Sequence, residues 1–476
     1  MDRPNVLFIH TDQQRWDALG ANGNDEIRTP HLDALAAEGV TFNRYFTQAT
    51  VCAPSRASYL TGRYPSQLGI YKNGRTVPES VPTIADYLGR AGYVTGNLGK
   101  LHFKPHALRD HRDPHPRYGF DHIEIADEPG CYPDAYRAWV KRRAPDQLDN
   151  VSWGLPWAAK QWQALMHRDD GIEHPEPRFP KRPVPFPADE ELSFSAFVAD
   201  RTETFLERHA SGAPFLCVAG FYAPHSPWVV PQRFLDEYDP ANFTLPSYPP
   251  SLDAEREERA AGAADETDPT FDDAELRGAI HGYYAMITEV DHYVGQLLDT
   301  LDRLGIREET MVIFTSDHGE DLGHHLRYGK GWPGYDTITR VPCVIRWPEV
   351  IETPGQSMQP IVEAVDLLPT ILEGAGIQAP AAVRGRSLVS LLREETTRHR
   401  ASALIEGEGR KAIRTDRYRY AVGENDEHLY DLATDPAEHH NLADDPAYEQ
   451  ERARLRATLL DRLLGAERRL PKEAPY

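Results

Sequence analysis

Asn5-Val6-Leu7-Phe8-Ile9-His10 is a short apolar run that ends in the polar residues Thr11-Asp12-Gln13-Gln14. A continuous apolar run of this length reads as a strand buried on both faces of a parallel sheet. Polar residues at its carboxyl end then sit on the rim. Two more runs repeat the pattern, Pro214-Phe215-Leu216-Cys217-Val218-Ala219-Gly220 and Met311-Val312-Ile313-Phe314-Thr315, and Tyr93-Val94-Thr95-Gly96-Asn97-Leu98 reads as a further strand after a helix. Helical patterns lie between them, at about 29–39, 83–92 and 273–304. In the first, Thr29 can cap, Pro30 suits the first turn and Gly39 can end the helix. Strands alternating with helices predict an α/β fold, a mostly parallel sheet covered on both faces. Ligands in such folds bind beyond the carboxyl ends of the strands. Asp12, Lys100, His225 and Asp317 each follow a predicted strand, so one rim can gather them.

Residues 110–187 are rich in Pro, Trp, His and charge with weak periodicity. They read as loops and short helices over that rim, where substrate selection usually resides. Residues 246–273 are polar, acidic and expected to be exposed. After about residue 376 the pattern changes to a hairpin over 412–422, turning at Thr415-Asp416, and a helix over about 446–464. At 476 residues the chain exceeds the size of a single core. The expected organisation is a large α/β domain over 1–376 and a smaller unit, an antiparallel sheet plus a helix, over 377–476.

The formal charge is −22, from 52 Lys and Arg against 74 Asp and Glu. Such a chain is expected to repel nucleic acid and anionic membranes. An anionic substrate would therefore need a local cluster of cations. No apolar run is long enough to span a bilayer. The first residues lack the pattern of a secretory signal, which favours a cytoplasmic enzyme. Cys52, Cys131, Cys217 and Cys343 are widely spaced and form no Cys-x-x-Cys pair, which argues against structural zinc and thioredoxin-like chemistry. Oligomeric state, including a homo-oligomer, stays open.

The most specific stretch is Cys52-Ala53-Pro54-Ser55-Arg56-Ala57-Ser58-Tyr59-Leu60-Thr61-Gly62-Arg63. It resembles the sulfatase signature, Cys-x-Pro-Ser-Arg followed by Leu-Thr-Gly-Arg. The resemblance implies an alkaline-phosphatase-like fold and oxidation of Cys52 to formylglycine by a dedicated formylglycine-generating enzyme. The hydrated aldehyde carries two hydroxyls on one carbon. One attacks sulfur or phosphorus, and loss of a proton from the other expels the group from a covalent sulfo-enzyme intermediate. Pro54 and Ser55 suit a helix start, which would set residue 52 near the positive end of a helix dipole. Arg56 lies one turn further on and can hold an ionised hydroxyl.

The resemblance extends along most of the chain. Asp12 matches the first metal-binding aspartate, and Thr315-Ser316-Asp317-His318-Gly319-Glu320 matches the later metal motif. The implied ligands are Asp12, Asp317, His318 and the side chain at 52. Gln13 stands where many sulfatases have a second aspartate; it can supply a neutral oxygen or orient Asp12. Such oxygen donors suit one hard divalent cation, Ca2+ first, while a histidine nitrogen moves the preference toward Mn2+. Lys100 and His102 match the family's Gly-Lys-x-His element. His225 matches the Pro-His-x-Pro loop, and Lys330 a lysine placed against the transferred group. Any of His102, His225 and Lys330 could protonate the leaving oxygen. Asn73 resembles an asparagine near the nucleophile of choline-sulfatase-like and phosphonate-hydrolase-like relatives; Asn73-Gly74 reads equally well as a turn.

The function implied is hydrolysis of a small sulfate monoester. Asp12-Gln13 and Asn73 keep a phosphonate monoester or phosphodiester as the alternative substrate. A non-catalytic binding protein with unmodified Cys52 is the remaining alternative.

Overall fold

The computed structural model describes residues 3–152, 156–167, 172, 181–262 and 269–467. Parts of the segments read as rim loops and as an acidic stretch lie outside the described residues. Eight strands form the main sheet: β1 (Asn5–Thr11), β2 (Val40–Phe42), β3 (Val94–Gly99), β4 (His122–Ile125), β5 (Phe215–Gly220), β6 (Thr310–Ser316), β7 (Cys343–Arg346) and β8 (Gln356–Met358). Their order across the sheet is β8-β2-β7-β6-β1-β5-β3-β4. Only β7 runs antiparallel to its neighbours. The fold is thus α/β with a mixed, mostly parallel sheet.

Alternation along the strands divides the core in two. Leu7, Ile9, Cys217, Ala219, Val312 and Phe314 face one side, packed with α1 (Pro30–Glu38), with the helix over Phe194–His209 and with the long helix over Asp273–Arg303. Val6, Phe8, Leu216, Val218, Met311 and Ile313 face the other, packed with α2 (Cys52–Thr61) and with the helices over Ile84–Arg90 and Leu367–Gly374. The four strands read from the sequence lie at the centre of this sheet. β2, β4, β7 and β8 were not foreseen.

Two local readings need correction. Thr29 does not cap α1: its hydroxyl accepts from Gly20 N at 2.9 Å and donates to Asp33 at 3.1 Å. The cap comes from Asp291 on the long helix, which accepts from His31 N at 3.2 Å and Leu32 N at 2.7 Å. In the hairpin, Arg414 pairs with Arg419, which centres the turn on Asp416 and Arg417.

Strands β9 (Ser402–Gly407), β10 (Arg410–Thr415), β11 (Tyr418–Val422) and β12 (Glu427–Asp431) form a separate antiparallel sheet in sequence order. The closing helix over Glu449–Ala466 covers one face through Leu455 and Leu459, in a cluster that also takes in Tyr64 and Val365. The other face packs against Phe46 and Ile361. No described helix is long and apolar enough to cross a membrane.

Asp366 ties the start of this unit to the main domain. It is fully buried and meets the Arg400 guanidinium at 3.0 Å and His399 at 3.0 Å. Burial pushes its carboxyl up, but Arg400 and His399 override this and hold it well below the usual range. A carboxyl depressed in the folded state contributes stability above its unfolded pKa of about 3.9 and loses it as pH falls through the folded value. Acid unfolding should therefore show a component below about pH 4 that Asp366→Asn removes. An unchanged acid slope in that variant contradicts the assignment.

Candidate active site

The register of the central strands brings the reactive side chains to one level. Thr11 pairs with Ser316, and His10 with Gly220, so Asp12 and Asp317 leave β1 and β6 side by side. Gly99 pairs with Gly220 and delivers Lys100 to the same rim. Gly99 has φ +95, and a Cβ there would lie 2.2 Å from Gly220 O, so only glycine fits where Lys100 emerges.

Cys52 occupies the first turn of α2, near the positive end of the helix dipole. Val51, at the N-cap, cannot supply a side-chain acceptor. Asn73, from a separate loop, fills that role: its Oδ1 accepts from Ala53 N at 3.0 Å, and its Nδ2 lies 3.8 Å from Cys52 Sγ. Gly74 has the positive φ (+84) of a turn, in agreement with the turn reading of Asn73-Gly74.

Arg56 is fully buried between the two aspartates. It donates through Nε to Asp317 Oδ2 at 2.7 Å, through Nη2 to Asp12 Oδ2 at 3.1 Å and through Nη1 to Lys100 O at 3.1 Å. Lys100 Nζ adds a second cation 2.8 Å from Asp12 Oδ2. The outer oxygens are thereby occupied, and the Oδ1 atoms turn inward. Cys52 Sγ is 3.6 Å from Asp12 Oδ1 and 3.2 Å from His318 Nε2, while His318 Nε2 is 3.6 Å from Oδ1 of both aspartates. His318 Nδ1 contacts Gly319 O at 2.9 Å, which aims Nε2 at the group.

This donor set fits a divalent ion. One ligand atom from each of Asp12, Cys52, Asp317 and His318 falls within 4.8 Å of the others, and all four residues are buried. Two inward carboxylate oxygens and one imidazole nitrogen suit a hard to borderline cation. Gln13 Oε1 is buried with no hydrogen-bond partner, a further neutral oxygen. Gln13 Nε2 donates to Glu320, its backbone N donates to Asp317 Oδ1 at 3.0 Å, and its φ of 75° is left-handed. Held strain at a non-glycine residue is typical of sites over-determined by their surroundings. A divalent ion should therefore stabilise the fold, by about 2.7 kcal/mol at 100 times its dissociation constant, and raise the unfolding midpoint accordingly. Asp12→Asn should abolish this response to Ca2+ and Mn2+. A midpoint indifferent to both ions in the parent protein would contradict the fit.

Cations close the ring. Lys330 Nζ is 2.7 Å from Cys52 Sγ and 3.8 Å from Asp12 Oδ1. Burial and Asp12 push the Cys52 thiol up, but Lys330, His318 and His102 outweigh them and hold it well below the ordinary thiol range. Burial likewise opposes ionisation of Asp12, yet Lys100, Lys330, His225 and Arg56 keep its carboxyl well below the usual range. The site stabilises negative charge at residue 52.

A cavity of about 720 Å³ opens over Cys52. Gln13, Asn73, Lys100, His102, His225 and Lys330 all line it. His225 Nδ1 contacts Ser226 O at 2.6 Å, which leaves Nε2 for the cavity. Burial, with Lys330 and Lys100 nearby, pulls His225 down to about 3. Backbone N of His102 donates to Asp127 at 2.8 Å. Several wall residues were not foreseen: Glu128, Lys181, Trp228, Glu320 and Tyr328. Burial pushes Glu128 up to about 7 against the pull of Lys100 and His102. Glu320 belongs to a quoted motif, but the others come from loops without periodicity.

Of the other histidines, His106 lines the cavity, while His111 stacks on Tyr132 with centroids 4.0 Å apart. All four cysteines are free and buried.

Comparison with known proteins agrees with this geometry. Residues 4–377 match the sulfatase family, and residues 323–464 match the C-terminal region of N-sulphoglucosamine sulphohydrolase. The chain is 29% identical to an ulvan-active sulfatase of Formosa agariphila, over 98% of this chain and 82% of that protein. It is 29% identical to an arylsulfatase of Clostridium perfringens, over 98% and 95%. The phosphonate monoester hydrolase of Agrobacterium radiobacter superposes with a TM-score of 0.81 at 26% identity, over 98% and 96% of the two chains. With the family match spanning most of its length and a cation-ringed cysteine beside paired carboxylates, this chain belongs to the sulfatase family of sulfuric ester hydrolases.

Proposed function

We propose that the protein hydrolyses small sulfate monoesters, with residue 52 as nucleophile after oxidation of Cys52 to formylglycine by a separate maturation enzyme. The observation that carries this reading is the position of Cys52 Sγ, 2.7 Å from Lys330 Nζ, 3.2 Å from His318 Nε2 and 3.6 Å from Asp12 Oδ1. Formylglycine supplies two geminal hydroxyls, one to attack sulfur and one whose deprotonation releases sulfate from residue 52. Asp12, Asp317, His318 and the side chain at 52 would hold one divalent ion, with Gln13 Oε1 beside them, and oxygen donors favour Ca2+ over Mn2+. The ion supplies Lewis acidity toward the nucleophile's oxygen and the ester.

The chain's own residues do the rest. Arg56 and Lys100 hold the outer oxygens of the aspartates and so fix the inner ones. Lys330 and Lys100 offset the negative charge of the sulfuryl oxygens as the ester bond breaks. His102 and Lys330 line the cavity as donors for the departing alcohol oxygen, while His225, neutral and with Nδ1 on Ser226 O, presents an acceptor Nε2 there. Matured enzyme should turn over 4-nitrophenyl sulfate with a higher kcat/KM than the matching phosphodiester or phosphonate ester. Turnover of the phosphorus esters alone would overturn the sulfate assignment.

Phosphonate monoester or phosphodiester hydrolysis is the second reading. Gln13 in place of a second acidic residue and Asn73 against the nucleophile favour it, as does the likeness to a phosphonate monoester hydrolase. Sulfuryl and phosphoryl groups are both tetrahedral with anionic oxygens. Turnover confined to sulfate esters would defeat it.

A further inference from the structure

We propose that Lys411, on strand β10 of the C-terminal sheet, is a positioning residue for the nucleophile, acting through Tyr71 and Asn73. The inference rests on the function proposed above. It begins with a helix that cannot cap itself. Val51 offers α2 no side-chain acceptor, so Ala53 N takes its acceptor from Asn73 Oδ1 at 3.0 Å. The first turn of α2 also carries Cys52, whose Sγ is 3.8 Å from Asn73 Nδ2. Where the 71–75 loop sits therefore bears on where residue 52 points.

That loop has its anchors on the C-terminal sheet. Lys411 Nζ lies 4.4 Å from the centroid of the Tyr71 ring, donates to Gly407 O at 3.2 Å and is 3.7 Å from Glu406 Oε1. Glu406 is fully buried, and its Oε2 accepts from Ser66 N at 2.8 Å. Its backbone N donates to Gln48 O at 2.8 Å, a few residues before Cys52. Lys72 and Glu408 add an ion pair at 2.5 Å, but both are more than half exposed, and such pairs contribute little. Lys411 is the better-placed member. Its side chain is 22% exposed, and its charge faces a ring, a carbonyl and a buried carboxylate at once. A single cation thus joins the C-terminal sheet to the loop that caps the nucleophile's helix.

The test is a double-mutant cycle on full-length, matured enzyme. Rates are measured with 4-nitrophenyl sulfate and normalised to the fraction of residue 52 converted to aldehyde, read by mass spectrometry. Lys411→Met is expected to lower kcat roughly two- to fivefold with a smaller change in KM, the scale of one cation–π contact. Lys411→Arg, which keeps a cation over the ring, should restore most of the loss. In an Asn73→Ala background, Lys411→Met should cost nothing further, because residues acting through one another are not additive. Losses that multiply in the double mutant would overturn the proposal, as would wild-type kcat in Lys411→Met. Should Lys411→Met fail to fold, Tyr71→Leu carries the same cycle from the other side of the contact. Absence of sulfatase turnover in matured wild type would defeat the functional reading itself. Multiplicative losses in an active enzyme would defeat only the positioning role.

Discussion

Cys52→Ala should abolish sulfate ester turnover, with kcat falling on the order of 10⁴-fold or more, while the protein stays folded. The size follows from what the substitution removes. Lys100, Lys330 and His225 remain in the cavity wall and can still bind an anionic ester, but nothing at residue 52 is left to attack it. Residual binding and electrostatics alone retain only a small part of an enzyme's rate when its nucleophile is deleted. The fold should survive because Cys52 contributes one buried sulfur at the start of α2, whose cap comes from Asn73. Steady-state kinetics with thermal melts checks both halves. Turnover within tenfold of wild type would exclude residue 52 as nucleophile.

The second large effect is on stability. Arg56→Met should destabilise the protein by about 3–5 kcal/mol and lower turnover as well. Arg56 is fully buried, and its guanidinium holds Asp317 at 2.7 Å and Asp12 at 3.1 Å. Methionine fills most of the volume but leaves two buried carboxylates facing each other with Lys100 as the nearest remaining cation. Breaking a buried ion pair by removing one partner costs far more than removing both. Arg56→Lys should fall between, since a lysine keeps the charge and loses the planar fork that reaches two carboxylates. Denaturant unfolding of the three proteins gives the ranking, and a loss below about 1 kcal/mol in Arg56→Met would contradict it.

Three of the central strands were legible as short apolar runs with a polar end, as in Asn5 to Gln14, and the fourth, over Val94–Gly99, from its place after a helical pattern. The lateral strands β2, β4, β7 and β8 span only three or four residues each, too short for periodicity to reveal. Their pairing is fixed by neighbours distant in sequence, as when Val40 faces both Ile345 and Gln356. The same cause explains the caps. Thr29 looked like a local cap, yet Asp291 caps α1 from 260 residues away, and Asn73 caps α2 from another loop. The candidate site was legible where chemistry lies next to a strand end, at Asp12, Lys100 and Asp317, or inside the signature at Cys52 and Arg56. Glu128, Lys181, Trp228 and Tyr328 line the cavity from loops whose sequence carries no local signal. Only packing brings them to the rim.

The C-terminal sheet illustrates how remote chain segments bear on chemistry. It holds Gln48, Ser66 and Tyr71 through Glu406 and Lys411, each ahead of or near a residue in the site. None of its side chains lines the cavity over Cys52, so its bearing on the site runs through those contacts.

The decisive observation is the chemical state of position 52 set against rate. Protein produced with and without a formylglycine-generating enzyme yields samples in which that side chain is aldehyde to differing extents, read from the mass of its tryptic peptide. Initial velocity on an aryl sulfate should rise in direct proportion to the aldehyde fraction and extrapolate to zero for pure thiol. Equal velocity from a sample holding thiol alone would contradict the account.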